Sequence, residues 1–574
     1  MNKKLWFLIT PGLVGLALVL FGTERGQFLA TTAEAATISG MGTLSGAVEA
    51  PKPFKAAQVF VKNVDKDILY MVYTAGGRYR AVNLFPGNYE VSVQKRGFVG
   101  DVKKVVVRAE TNVTADFSLR EAAADPNQAP RVPYETLYPA GEGRNLAEKT
   151  CIGCHGAGFL PIRHSSEAQW NAALNLMTDP KAARIMPGTL SPKDRQVLLA
   201  YLVKNFGPDS PRQQLDIGAE MPLDEGALGK AMYVEYHIPQ DAQNAHSHSP
   251  HDSHFDQDGN VWYTDSRYGI GKLDPRTGTF KSIRTPNPNS NASVHGMTAD
   301  AQGHIWWVGN AALGQIDPKN GELSVYPIDP KNEIVYHGHT PIVDSKQNVW
   351  FSNILENKLG VWDRKTAKVT LYEVPTYNSL PYGVVVDKND KIWMAEWIRC
   401  KIAKFDPATE KFTEYSALST PCVLRRMSID SKGMIWYGSG ALKDGKLGKL
   451  DPNTGKIVEY EIPMPYSHPY DAHPDHDGNI WISDSSPLNP GDERFQTLLK
   501  QDHSLAKYDT AMIKFDTRTE KFTYYPSPQR TAMPKLEVTR DGAIWYCPTT
   551  GAENESLVVL YPDMNKITTM GAYY

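Results

Sequence analysis

The sequence predicts a multidomain, mainly β protein that combines a β-sandwich, a small α-helical domain and a seven-bladed β-propeller. Three observations predict this fold class. Seven of the 12 tryptophans recur between residues 262 and 545 at spacings of 44, 44, 43, 43, 45 and 64 residues. Short alternating strands fill residues 38–120, and helical patterns flank the motif Cys151-Ile152-Gly153-Cys154-His155. Strands, helices and repeats have different sequence periodicities. The alternating strands therefore predict the β-sandwich, the helical patterns predict the α-helical domain, and the tryptophan repeats predict the propeller.

Length and charge limit the class of partner. The chain has 574 residues, enough for three or four domains with large apolar cores. Its formal net charge is −3, from 61 Lys and Arg against 64 Asp and Glu, and no basic run carries interleaved aromatic residues. This balance argues against nucleic acid as a partner and leaves small molecules and proteins.

The N-terminus has the pattern of an export signal. Lys3 and Lys4 precede an apolar run over residues 5–22, and the small-residue site Ala33-Glu34-Ala35 follows it. We therefore expect residues 1–35 to be a signal peptide and the protein to be periplasmic. Retention of the apolar run as an N-terminal anchor stays open, because its length is near the lower limit for crossing a bilayer.

Residues 38–120 alternate apolar and polar side chains between Gly and Pro residues, which is typical of short strands. The run Leu-Phe-Pro-Gly-Asn-Tyr at residues 84–89 indicates a tight turn between two of these strands. In these features the segment resembles the carboxypeptidase regulatory-like, transthyretin-like β-sandwich, and the resemblance implies a structural or docking domain. Residues 121–132, rich in Ala and Pro, are expected to be a linker.

The Cys151 to His155 motif predicts covalent haem. Two thiols three residues apart can form thioether bonds to one porphyrin, and the adjacent imidazole then binds the iron. We therefore assign Cys151 and Cys154 to haem attachment and His155 to the proximal iron ligand. A zinc half-site or a redox dithiol is the alternative, but zinc would need a second ligand pair and the other three cysteines are distant and singly spaced.

Helical patterns lie on both sides of the motif. Residues 138–150 lead into it, and a second helix is expected to begin with Ser191 as N-cap and Pro192 at its first position and to stop at Gly207. Apolar residues of this second helix fall on one face. In outline, residues 133–210 resemble a class I cytochrome c domain.

The distal iron ligand is predicted to be Met186, in an Ile-Met-Pro-Gly run just before the second helix. A thioether ligand raises the reduction potential and suits electron transfer. Methionine also fills cores without binding metal, and Met177 stays open as the alternative ligand.

The C-terminal repeats predict the propeller over residues 230–574. An Asp precedes each of the first six repeat tryptophans by six residues, and Thr539 takes its place in the seventh. About 43 residues with four strands form one blade, and seven blades close a ring. The outer-strand pattern occurs once too often, at residues 232–238 and at 567–574, and the sequence does not say which copy closes the ring. The long last spacing predicts an insertion at residues 487–508.

The amino-acid sequence of the repeats, for example Pro-Tyr-Gly-Val-Val-Val-Asp at residues 381–387, resembles that of the virginiamycin B (streptogramin) lyase family. The resemblance implies a seven-bladed propeller and a lyase chemistry in which a His removes a proton beside Mg²⁺. By this resemblance His339 matches the base and His295 a substrate contact. The positions for acidic ligands hold His337 and Asn353, and neutral ligands bind Mg²⁺ poorly, which argues against antibiotic linearisation.

Equivalent positions of successive inner strands should form rings around the central channel. One such position is occupied by His251, His295, His339, Tyr382, Arg425, Tyr470 and Pro534. Histidines also stand two residues earlier, at 337 and 468, and three residues later, at 254 and 473. Three histidines at one level of adjacent blades predict a polar functional site, and His251, His295 and His339 are the candidate catalytic residues.

Converging imidazoles also suggest a second metal. His251, His295, His337, His339 and His473 are the candidate ligands for Fe, Cu or Zn. The carboxylates three residues after a repeat tryptophan, at Asp265, Glu396 and Asp484, are candidates for orienting these imidazoles.

These features favour a periplasmic c-type cytochrome oxidoreductase. The propeller would bind and oxidise a small-molecule substrate, and the haem would pass electrons to an acceptor protein or a membrane redox partner. A lyase with a fused cytochrome is one alternative, and a non-catalytic electron-transfer or docking protein is another.

A disulfide between Cys400 and Cys422 stays open, and Cys547 is expected to be a packed thiol.

The haem interpretation predicts that Cys151→Ala or Cys154→Ala abolishes two-thioether attachment, because each thiol forms one of the bonds. Met186→Ala should leave the haem attached and lower its reduction potential, since the thioethers tether the porphyrin independently of the distal ligand. Covalent haem staining and redox titration measure the two effects. A lower potential in Met177→Ala, with Met186→Ala unchanged, would identify Met177 as the distal ligand.

Overall fold

The structure is a computed structural model that describes residues 37–123, 129–161, 163–179, 190–240, 248–286, 294–329, 331, 336–419, 422–440, 443–484, 510–529, 531, 533–549 and 555–574. Residues 37–574 form one compact unit. The predicted signal peptide, Met186 and the predicted insertion at 487–508 lie outside the described residues.

In the part of the chain that the structure describes, no helix is both long and apolar enough to cross a membrane.

The N-terminal segment is a β-sandwich. Its strands are β1 Gly42–Glu49, β2 Gln58–Asn63, β3 Ile68–Tyr73, β4 Arg78–Leu84, β5 Gly87–Gln94, β6 Phe98–Val99, β7 Lys103–Val107, β8 Asn112–Thr114, β9 Phe117–Ser118 and β10 Arg120–Glu121. One layer has the order β4-β1-β8, and the other contains β3-β2-β5-β7. Alternate side chains of β2 are buried between the layers, as the sequence pattern predicts.

Short helices follow the sandwich. The elements are β11 Arg131–Val132, α1 Tyr134–Leu137, α2 Glu142–Ala147, a π-helical turn Glu148–Ile152, α3 Gly153–His155, α4 Glu167–Thr178, α5 Pro192–Phe206, β12 Gln214–Leu215 and α6 Glu225–Leu228. The predicted caps of α5 are confirmed, because the Ser191 side chain accepts from the Asp194 N–H and the helix ends at Gly207. The last two residues of the predicted linker, Arg131 and Val132, form strand β11, which pairs with β12.

Six four-stranded antiparallel sheets form the first six blades. Their strands are β14 Pro250–Phe255, β15 Val261–Asp265, β16 Gly269–Asp274, β17 Thr279–Arg284, β18 Val294–Ala299, β19 Ile305–Gly309, β20 Ala312–Ile316, β21 Leu323–Pro327, β22 Gly338–Val343, β23 Val349–Asn353, β24 Lys358–Asp363, β25 Lys368–Glu373, β26 Pro381–Val386, β27 Ile392–Glu396, β28 Lys401–Asp406, β29 Lys411–Ser416, β30 Val423–Ile429, β31 Ile435–Gly440, β32 Lys446–Leu450, β33 Ile457–Glu461, β34 Pro469–Pro474, β35 Ile480–Asp484, β36 Ala511–Asp516 and β37 Lys521–Pro526.

The seventh blade joins the two ends of the propeller segment. Strands β38 Leu536–Val538, β39 Ile544–Tyr546 and β40 Ser556–Tyr561 are completed by β13 Met232–His237, which pairs with β40. Inner strands contact one another in sequence around the ring, and β38 contacts β14 to close it. The early copy of the outer-strand pattern therefore closes the ring, and residues 567–574 form no strand.

The sandwich and the seventh blade share one continuous sheet, which the sequence did not predict. Strand β13 pairs with β40 on one edge and with β3 on the other, giving the order β38-β39-β40-β13-β3-β2-β5-β7. All six residues of β13 are buried, whereas the outer strand β17 of the first blade is largely exposed. A single apolar cluster runs from the sandwich to Trp545 of the seventh blade. The sheet of the seventh blade is therefore not self-contained, because β13 continues it into the sandwich.

This shared sheet predicts that a defect in the sandwich loosens the seventh blade. Val72 of β3 is fully buried and pairs with Met232 of β13. Val72→Asp should cost about 3–5 kcal/mol, the effect of an uncompensated buried charge, and should speed amide exchange in β40. Val106→Asp on β7, where the side chain is 49% exposed, is the control. Unchanged exchange in β40 of the destabilised Val72→Asp protein would mean that the two parts unfold independently.

Candidate functional site

The six inner strands place one residue each at the same mouth of the channel. We call the set His251, His295, His339, Tyr382, Arg425 and Tyr470 the mouth ring. In each of the six blades the pairing between the inner strand and its neighbour shifts register at this position. Such bulges redirect side chains and are frequent beside functional sites. Pro534, the seventh predicted position, lies just before β38.

The mouth ring brings the three predicted catalytic histidines together. The ring centroids of His251 and His295 are 3.8 Å apart, and those of His295 and His339 are 4.0 Å apart. The centroids of His251 and His339 are 6.1 Å apart. The prediction that three adjacent blades present imidazoles at one level therefore agrees with the structure.

Aromatic and cationic side chains continue the mouth ring. The Tyr382 ring lies 3.9 Å from that of His339, and its hydroxyl contacts the hydroxyl of Tyr470. Arg425 lies over Tyr470, with its guanidinium carbon 4.4 Å from the ring centroid. Trp397 packs against Tyr382 with centroids 5.2 Å apart. The mouth therefore combines neutral imidazoles with π faces and one guanidinium.

A buried ion pair lies next to the mouth ring. Arg426 donates to Asp252 Oδ1 over 2.7 Å, and both side chains are buried. His251 Nδ1 is 2.7 Å from the same Asp252 oxygen. A carboxylate only accepts, so Nδ1 of His251 carries the proton and Nε2 is left as an acceptor. Neither Arg426 nor Asp252 was predicted as part of the site, although two consecutive arginines in a buried strand are a signal for an internal ion pair.

All three imidazoles of the mouth ring are biased toward the neutral form. Burial lowers the pKa of His251 below its ordinary value, and burial, followed by the charge of a neighbouring imidazole, holds the pKa values of His295 and His339 well below theirs. Nδ1 of His295 and Nε2 of His339 are buried without a hydrogen-bond partner in the structure. These nitrogens are therefore available to a bound molecule, and neutral imidazoles can accept a proton.

The other predicted histidines have separate partners. His337 Nδ1 is 2.6 Å from Glu356 Oε1, and His473 Nδ1 is 3.2 Å from Ser428 Oγ. His254, further along the first inner strand, is 3.1 Å from Glu537 Oε1. The predicted metal set of five histidines is thus divided among different environments. Among the described residues, no group of three or more His, Cys, Asp or Glu side chains is arranged to hold a metal ion.

The three candidate carboxylates do not orient the mouth-ring imidazoles. Asp265 contacts His248, a histidine that the sequence analysis missed, and this carboxylate raises the pKa of His248. Asp484 accepts from the Ser467 hydroxyl over 2.9 Å. Glu396 is buried, and burial together with the charge of Glu414 raises its pKa to about 8.

Asn353, the residue at the position of an acidic ligand in the family that the repeats resemble, is fully buried, and neither its side-chain oxygen nor its nitrogen has a hydrogen-bond partner in the structure.

The CxxCH motif lies within the run of helices. Cys151 belongs to the π-helical turn, and Cys154 and His155 belong to α3. The His155 ring stacks on Phe159 with centroids 4.0 Å apart, and the Arg163 guanidinium carbon is 4.1 Å from the centroid of Phe159. Nδ1 of His155 is buried without a hydrogen-bond partner in the structure. Met177, the alternative distal ligand, is half-buried on α4.

The helices around the motif pack against the propeller face that carries the mouth ring. Tyr466, in the loop before β34, stacks on Tyr134 with centroids 5.9 Å apart and belongs to the helical core. Lys443 pairs with Glu135 over 2.9 Å. Burial and then the charges of Arg163 and Arg425 lower the pKa of His155 to about 4. The mouth-ring guanidinium therefore acts electrostatically on the motif imidazole.

The remaining cysteines follow the sequence analysis. Cys400 and Cys422 form a disulfide between the fourth and fifth blades, with Cα atoms 5.5 Å apart, which agrees with an oxidising compartment. Cys547 is buried without a disulfide partner, and burial raises its pKa.

Comparison with known proteins supports the two β segments. Residues 231–487 match the sequence profile of the virginiamycin B lyase family, and residues 43–120 match that of the carboxypeptidase regulatory-like domain. No curated protein matches the chain.

Several solved structures are similar to part of this chain. A streptogramin B lyase is 18% identical, with 58% of this chain and 97% of that chain covered and a TM-score of 0.47. A catalytically inactive virginiamycin B lyase from Staphylococcus aureus with quinupristin is 16% identical, with 57% and 99% covered and a TM-score of 0.46. An extracellular domain from B. thetaiotaomicron is 13% identical, with 55% and 38% covered and a TM-score of 0.41.

Glu396 predicts a pH dependence of stability. The pKa of Glu396 is about 8 in the folded protein against an ordinary value of 4.5. The folded protein therefore binds the proton of this carboxyl more tightly than the unfolded chain does, and the free energy of unfolding falls as pH rises from 4.5 through 8. Glu396→Gln removes this loss, and its stability advantage should grow over that interval and then level off. Urea unfolding across this pH range measures it. Exposed Glu461→Gln is the control, and parallel profiles for wild type and Glu396→Gln would contradict the raised pKa.

Proposed function

We propose that this protein is an exported c-type cytochrome oxidoreductase. The mouth ring binds and oxidises a small substrate, and the electrons pass to a haem held by Cys151 and Cys154, with His155 and Met186 as iron ligands. An acceptor protein or a membrane redox partner then removes the electrons. The Cys400–Cys422 disulfide supports the exported location.

The residues around the motif are compatible with a haem. The buried Nδ1 of His155 has no hydrogen-bond partner in the structure, and the ring is held by its stacking on Phe159. Helices α2 and α5 approach so closely that a Cβ on Gly143 would lie 2.5 Å from Cβ of Tyr201, so they form a firm support for the motif. A bound haem c supplies one-electron transfer.

One observation carries the proposal. Tyr466, four residues before Tyr470 of the mouth ring, stacks on Tyr134 and belongs to the same apolar cluster as Ile152 and Phe159 beside the motif. A substrate at the mouth ring would therefore lie close to the group that takes its electrons. An electron-transfer motif on an unrelated face of the propeller would have no such relation to the polar mouth.

His251 is suited to take the substrate proton. Asp252 fixes the tautomer by accepting from Nδ1, so Nε2 can accept a proton. Arg426 holds the Asp252 carboxylate and lowers its pKa. His251 would take the proton that a substrate X–H releases on one-electron oxidation to X•, and a haem held by Cys151, Cys154 and His155 would supply the one-electron chemistry.

A lyase is the second candidate, because residues 231–487 match the virginiamycin B lyase family profile. His339 is the base in this alternative, with Nδ1 2.9 Å from Thr340 Oγ1 and Nε2 without a partner. Its pKa is well below the ordinary value, so it is a weak base. This chemistry transfers no electrons to the haem.

The test uses the full-length protein and hydroquinone as a probe, because its oxidation releases protons and electrons together. His251→Gln should slow haem reduction by hydroquinone roughly 10²–10⁴-fold through loss of a general base. His304→Gln is the matched control, since His304 Nδ1 also contacts a carboxylate, 2.9 Å away at Asp300, but lies outside the mouth ring. Reduction is followed anaerobically by the haem spectrum.

The outcomes separate the candidates. Absence of covalent haem from the wild-type protein would overturn the oxidoreductase. Unchanged reduction in His251→Gln, His295→Gln and His339→Gln would remove the mouth ring from the redox chemistry and favour an electron-transfer protein. Cleavage of quinupristin without change in the haem spectrum, lost in His339→Gln, would favour the lyase.

A further inference from the structure

The loop before β34 connects the helical segment with the mouth ring. Tyr466 packs in the helical core and stacks on Tyr134, while Tyr470 lies under Arg425. His468 is between these two contacts in the sequence. Tyr466 adopts a left-handed backbone with φ of 62°, which is costly for a tyrosine. The loop is therefore held in a specific shape that carries His468 to the boundary between the two parts.

His468 is buried with an unused polar atom. Its exposed fraction is 6%, and Nε2 has no hydrogen-bond partner in the structure. Its backbone N–H donates to Asp484 over 2.7 Å, and a Cβ on Gly440 would lie 2.7 Å from its Nδ1. The imidazole is thus fixed in place. A buried polar atom without a partner is unfavourable, so a group bound to Nε2 would stabilise this arrangement.

The charges at this boundary are positive. Tyr466 belongs to the same apolar cluster as Ile152 and Phe159 beside the motif, and Arg425 lies over Tyr470, four residues further along the chain. Arg163 lies over Phe159, which stacks on His155. Each part therefore contributes one guanidinium group to this boundary, and anionic oxygen is the ligand that they favour.

We propose that Arg425 and His468 bind the carboxylate side chains of the haem attached at the motif, so that the propeller forms one wall of the haem site. This inference rests on the proposed haem and adds residues from the propeller to its pocket. Arg425 supplies charge and His468 supplies an N–H from Nε2. Both carboxylates of a haem are anionic, which matches the positive charges at this boundary.

The arrangement implies that the propeller tunes the haem. A cation beside the haem carboxylates disfavours the extra positive charge of the ferric state, so its removal should lower the reduction potential. Arg425→Gln in the full chain should shift the redox equilibrium about tenfold toward the ferric form, equivalent to about 59 mV for a one-electron couple. Arg425→Lys keeps the charge and should restore most of the potential. His468→Leu should lower the potential by a smaller factor.

Arg284→Gln is the matched control. Its guanidinium carbon also lies 4.4 Å from a tyrosine ring, that of Tyr268 in the first blade, so the substitution removes the same charge and the same cation–π contact. It should leave the potential unchanged. Potentials are measured by spectroelectrochemical titration, and covalent haem is measured by staining of the denatured chain.

The two measurements distinguish the possible failures. Wild-type protein without covalent haem overturns the proposed function and this inference together. Haem present with potentials unchanged in both Arg425→Gln and His468→Leu overturns this inference alone. If Arg425→Gln does not fold, His468→Leu decides by the same criterion. An equal fall of the potential in Arg284→Gln would show a nonspecific effect of charge and would also overturn it.

Discussion

The hydrogen bond between a tryptophan and an aspartate sets the geometry of the propeller. In each of the first six blades the Trp Nε1 donates to Oδ2 of the Asp six residues earlier, over 2.8–3.0 Å. In the first blade Oδ1 of Asp256 accepts backbone N–H groups of the turn between β14 and β15. One carboxylate therefore fixes both the turn and the second strand, and the buried tryptophan anchors the blade to the core.

This constraint explains why the mouth ring exists. Because each turn is fixed in the same way, every inner strand begins at the same distance from its turn, and its second or third residue reaches the same mouth. A change of side chain at that position alters the mouth without altering the blade. Tyr382 and Arg425 thus share a level with three histidines although their chemistry is different. The repeat therefore fixes where each mouth-ring residue lies, and the type of side chain at that position can differ from blade to blade.

Local and periodic features were predictable from the sequence, and contacts between distant segments were not. The Asp and Trp spacing predicts the blades and the level of His251, and the caps of α5 follow from Ser191 and Gly207. The ion pair of Arg426 with Asp252 joins the fifth blade to the first; the consecutive arginines signal an internal pair, but no local pattern identifies Asp252 in a distant blade as the partner. Strand β13 has the same pattern as other outer strands, so only its neighbours reveal its second partner.

The continuous sheet also has a consequence for the order of folding. Strand β13 is hydrogen-bonded to β3, near the start of the folded chain, and to β40, near its end. Contacts between such distant segments form slowly, because the intervening chain must first be brought together. During synthesis and export the edges of β3 and β13 would lack their partners, and open edges promote aggregation. The edge of β3 would therefore stay open until β13 has been made, and the edge of β13 until β40 follows it, so the sheet that joins sandwich and propeller is exposed to pairing with other chains throughout synthesis of the six intervening blades.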